Sequence, residues 1–100
     1  MGWAAEHIAK LQRGETVSFR PTGRSMEPRI MSGQLCTVAP VKRSDIMAGD
    51  TVLCRVKGRE YLHLVLGIAN GLYLIGNVRH RLNGWIEPKA IYGRLVKVAP

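Results

Sequence analysis

Apolar residues recur along this chain with two periods, and the change between them separates a helix from a set of strands. Ala4, Ile8 and Leu11 fall at i, i+4 and i+7, Trp3 extends the same stripe, and Gly14 stands where a helix would end. That spacing predicts a short helix over residues 3–12, covering one face of a sheet. Past Gly14 the apolar residues instead fall in short strand-like runs. Thr16 to Arg20 alternates, with Val17 and Phe19 on one side, and stops at Pro21. Leu35 to Ala39, Asp50 to Val56, Tyr61 to Ile68, Leu72 to Ile75 and Tyr92 to Val98 read as further strands. Lys57-Gly58-Arg59-Glu60 reads as a hairpin loop, and Asn70-Gly71 as a two-residue turn, because both of its positions tolerate positive φ. Residues 76–85 read as a polar, Gly/Asn-rich loop, and Glu87-Pro88-Lys89 as a turn. Short strands joined by tight turns behind one helix predict a mostly β fold. The expectation is a compact single domain over residues 1–100, a sheet or partly open barrel with its β core at 17–98.

Composition narrows this picture only a little. One hundred residues fit one domain with one core, and no internal repeat or low-complexity segment interrupts them. No apolar run approaches the roughly 20 residues that a membrane span needs. The opening Met1-Gly2-Trp3 lacks the basic and apolar regions of a signal peptide. The expectation is therefore a soluble, cytoplasmic protein without a transmembrane anchor. Fifteen Lys and Arg, ten of them arginine, against seven acids give a net charge of +8. That surplus favours an anionic partner, whether nucleic acid, a membrane surface or an acidic protein face. Cys36 and Cys54 sit in apolar, strand-like runs and read as two buried thiols, with a bridge open to them if their strands are neighbours. Neither has a metal-ligand or redox spacing, so no metal or other cofactor is expected.

The chemistry concentrates in Gly23-Arg24-Ser25-Met26-Glu27-Pro28, a serine in a Gly/Pro-bounded turn. Serine is a poor nucleophile unless a base takes its proton. Among three histidines and five lysines, His63 lies in the apolar run Tyr61-Leu62-His63-Leu64-Val65. Alternation puts it on one face with Tyr61 and Val65, with Leu62 and Leu64 on the other. Partial desolvation there keeps an imidazole neutral and able to accept a proton, although a core histidine with no reaction to run has the same pattern. Lys57 precedes the hairpin glycine near solvent, where a lysine stays charged. His7 and His80 stand in polar surroundings, as solvated or interface residues.

Ser25-Met26-Glu27-Pro28 resembles the nucleophile motif of the signal peptidase I and LexA-type serine peptidases. The eukaryotic and archaeal signal peptidases carry the same four residues and use histidine as base. The resemblance covers roughly residues 17–98 and includes Gly49-Asp50 ahead of the strand that leads to His63. It implies the family's catalytic fold, with Ser25 as nucleophile and His63 as general base. The family orients its base with a polar residue from a Gly-Asp-Asn-like loop. Here Gly76 to Trp85 holds that place with amides, so Asn77 or Asn83 is the implied orienting residue. The Ser25 N–H is the implied oxyanion donor. Gly23 stands where signal peptidases often have a second hydroxyl; Thr22 is one residue further off, and Arg24 completes the turn. Pro28 fixes the turn, Met26 packs beneath it, Met26, Pro28 and Tyr61 are substrate-groove candidates, and Ser32 is a turn residue. LexA-type self-cleavage is not expected, because the only Ala-Gly pair, Ala48-Gly49, lies inside the core.

Two functions follow from these residues. The first is an endopeptidase that binds a protein or peptide as an extended strand along the sheet edge. The second is a catalytically silent module of the same fold, binding nucleic acid or an acidic protein through its basic surface. Small phage-encoded members of the family make a virion or host-interaction role part of that second expectation.

Overall fold

The computed structural model describes residues 2–100. Helix α1 spans Ala5–Gln12 and buries Ile8 and Leu11, with Ala4 buried just ahead of it. It ends in a Schellman motif: the Gly14 N–H donates to Leu11 O and the Glu15 N–H to Lys10 O, both at 3.0 Å. The helix starts two residues later than its apolar stripe suggests. Trp3 lies in a turn, its ring 5.4 Å from that of Phe19.

Seven strands follow: β1 Val17–Phe19, β2 Leu35–Ala39, β3 Thr51–Val56, β4 Arg59–Ala69, β5 Leu72–Gly76, β6 Leu82–Ile86 and β7 Ile91–Ala99. They form one antiparallel sheet in the order β1-β2-β7-β3-β4-β5-β6, whose open edges are β1 and β6. The β3–β6 meander is joined by local turns, and β7 returns to the middle of the sheet. Asn70-Gly71 is the expected two-residue turn, with φ of 52° and 76°. The β3–β4 loop is tighter than expected. Lys57-Gly58 alone makes the turn, and β4 already begins at Arg59.

The segment 76–85 is not all loop. Asn77 accepts the Arg79 and Arg81 N–H groups on its side-chain oxygen, at 2.9 and 3.1 Å, and its own N–H reaches Arg81 O at 3.1 Å. That closed turn brings the chain back along β5, and Leu82–Ile86 pairs there as β6. Its sequence, LNGWI, carries no alternation because β6 bulges: Ile75 pairs with Gly84 and Gly76 with Leu82. Asn83 is the extra residue.

Side chains pack on two faces. α1 covers a cluster containing Val17, Met26, Ile30, Cys36, Val38, Leu53, Leu62 and Leu64. The other face gathers Ile46, Val52, Cys54, Val56, Val65, Tyr73, Ile75 and Ile86. Helix and sheet approach closely at Gly93 of β7, where a β-carbon would lie 2.7 Å from Val38 Cγ1 and 3.1 Å from Leu11 Cδ2. Cys36 and Cys54 are buried free thiols in different clusters, on strands separated by β7, so they do not bridge. Burial pushes the Cys54 thiol up to about 12. No helix among the described residues is long and apolar enough to cross a membrane.

Candidate active site

The turn carrying Ser25 is fixed from below and at its base. Met26 and Ile30 are buried in the cluster under α1, and the Ile30 N–H donates to Met26 O at 2.9 Å. Where β1 and β2 converge, the Gly33 N–H donates to Pro21 O at 2.9 Å, and Arg20 donates to Gly33 O at 2.8 Å. Ser25 rides above these anchors and is exposed. Ser32 does more than turn the chain, since its hydroxyl accepts the Gly23 N–H at 3.3 Å.

His63 comes from the middle of β4, opposite Val52 of β3, and is 8% exposed. Leu62 and Leu64 enter the cluster under α1, while Tyr61 and Val65 pack with the other cluster. The Tyr61 ring lies 4.9 Å from the His63 ring. Ser25 Oγ stands 3.0 Å from His63 Nε2, and His63 Nδ1 stands 2.7 Å from Asn83 Oδ1. The last contact decides the tautomer. An amide oxygen can only accept, so the proton sits on Nδ1 and Nε2 is left with a lone pair facing the serine hydroxyl. Burial holds His63 below its ordinary value of 6.5, and the Asn83 hydrogen bond partly opposes that. The imidazole is therefore neutral at pH 7.

The other expected residues divide cleanly. Asn83, not Asn77, reaches His63: the Asn77 oxygen closes the 77–81 turn, whereas the β6 bulge carries Asn83 across β5 to the ring. The Ser25 N–H donates to no backbone carbonyl among the described residues. Thr22 and Gly23 line the groove at Ser25, as do Met26 and Tyr61, but Pro28 does not. Pro28 lies on the exposed outer side of the turn, and Arg24, also exposed, pairs with Glu27 at 3.5 Å. Lys57 is exposed at the tip of its hairpin. Asp50 of the Gly49-Asp50 pair has a structural task, accepting the Met47 N–H at 2.8 Å and lying 3.6 Å from Arg94.

The groove holds a cavity of about 350 Å³ and includes residues that the sequence reading did not bring to the site. Trp3 and His7 reach it from the helix end, and Phe19, Ile30 and Met31 from β1 and the serine turn. The one legible signal was the i, i+4 spacing of Trp3 and His7. No group of three His, Cys, Asp or Glu among the described residues is placed to hold a metal. Comparison of the chain with protein-family models, curated proteins and solved structures finds no match.

The hydroxyl, the neutral imidazole and the amide form one hydrogen-bonded set in which the imidazole can take the hydroxyl proton. Ser25 and His63 line the groove, and Asn83 holds the imidazole from outside it.

Proposed function

We propose that the protein is a serine endopeptidase of the signal peptidase I and LexA type. The observation that carries this reading is the aligned chain Ser25 Oγ–His63 Nε2 and His63 Nδ1–Asn83 Oδ1, at 3.0 and 2.7 Å, at the edge of an accessible groove. Ser25 Oγ attacks the scissile carbonyl carbon while its proton passes to His63 Nε2. The carbonyl oxygen gains the charge and is met by the Ser25 N–H. As the C–N bond breaks, the amine leaves with the proton from Nε2. Water then adds to the acyl-serine with His63 again as base, releasing the acid and restoring the hydroxyl.

Asn83 takes the place an aspartate fills in the usual triad. It fixes the same tautomer, but an uncharged amide stabilises the imidazolium less, and the expected enzyme is correspondingly slower. The β1 edge, which leads into the serine turn, is the natural track for an extended peptide. A mixed peptide library digested by the chain and read by mass spectrometry tests this. Specific internal cuts that disappear with Ser25→Ala support it; identical digests with and without the serine contradict it.

One observation favours a second reading, the silent binding module. Among the described residues five ion pairs use five of the seven acids and leave most Lys and Arg outside any ion pair, including Arg79 and Arg81 of the 77–81 turn. A polyanion or acidic protein partner would meet those cations without involving Ser25.

A further inference from the structure

The groove beside Ser25 has a wall that acyl transfer does not use. Trp3, His7 and Phe19 form one aromatic group there: the His7 and Phe19 rings stack with centroids 4.6 Å apart, and the Trp3 ring leans on Phe19 at 5.4 Å. Trp3 nonetheless stays 52% exposed, and Met31 on the same groove 45% exposed. Large apolar side chains braced half in water around a cleft offer surface that a bound side chain would cover. The charged side chains Arg20 and Glu60 line this groove, and each is engaged by the fold. Glu60 is paired with Arg55 at 2.8 Å, and Arg20 is held by the Gly33 carbonyl. The cavity, about 350 Å³, is far larger than a methyl group needs. Three rings and a thioether favour another ring, through edge-to-face and sulfur–aromatic contacts.

Resting on the peptidase reading, we infer that this groove is a specificity pocket for an aromatic side chain of the peptide, one wall coming from Trp3 in the turn before α1 and from His7 in α1. The pocket selects the substrate by apolar contact and sets its bond beside Ser25.

Two peptides identical except for Phe or Ala at one position test this with the full chain. The Phe peptide is expected to be cut with a kcat/KM at least about tenfold higher. That ratio falls toward one in Trp3→Ala and in Met31→Ala. Equal rates for both peptides, or a ratio that neither variant moves, would overturn the pocket and leave the peptidase reading standing. Binding separates the two in the other direction. In a Trp85→Phe chain Trp3 is the one remaining tryptophan, and with Ser25→Ala added its fluorescence reports arrival of the Phe peptide without turnover. Saturable quenching by the Phe peptide alone supports the pocket even where no peptide is cut, a result that counts against the peptidase reading only. No response to the Phe peptide contradicts the pocket.

Discussion

At the scale of single residues, the site depends on which groups can accept and which must donate. Because burial holds His63 below 6.5, its base form dominates at neutral pH, and the acid limb of kcat/KM is expected below 6.5. Asn83→Asp puts a carboxylate on Nδ1 and favours the imidazolium, so the limb should move to higher pH; Asn83→Leu removes the hydrogen bond and should move it lower. A pH profile of each variant checks both directions. The same lowering affects stability. Below 6.5 the unfolded chain takes up the proton first, so the His63 contribution is intact above 6.5 and is lost as pH falls through the lowered folded value. The thiols give a separate expectation. Cys36 and Cys54 are buried and free, and burial raises both. Ellman's reagent should find no reactive thiol in the native chain and two after denaturation.

At the scale of elements, most of the fold was legible because its signals are local. The α1 stripe, the alternation of β1, the short apolar runs of β2 to β5 and the Asn70-Gly71 turn each follow from a few adjacent residues. β6 was not legible, because a bulge breaks the period on which strand assignment rests, and that bulge is held by pairing with β5. The same bulge is why sequence left Asn77 and Asn83 open as partners of His63. Ser25 and His63 could be named from their local strings, but the groove wall could not. Whether Trp3, His7 and Phe19 meet depends on how α1 lies on β1. The seat of α1 makes a prediction of its own. Gly93→Ala drives a methyl against Val38 and the Ala39 carbonyl, and should destabilise the fold by about 1–3 kcal/mol. Leu11→Ala empties the same contact, at a cost of about 2–5 kcal/mol. Urea denaturation measures both.

At the scale of the whole molecule, two features compete to define function: a surface with net charge +8 and one groove in which a serine meets a neutral histidine. They are separable. Retention on heparin should weaken with salt and be identical in the wild type and Ser25→Ala, since Ser25 carries no charge. Retention that changes with Ser25→Ala would mean the groove and the basic surface are one site. The central claim is that His63 activates Ser25. A fluorophosphonate, which captures only an activated serine, tests it with no substrate in hand. One adduct is expected by intact mass, located on Ser25, forming faster above the His63 transition and lost in His63→Ala. A wild-type chain left unmodified at pH 8, or labelled equally well without His63, would contradict it.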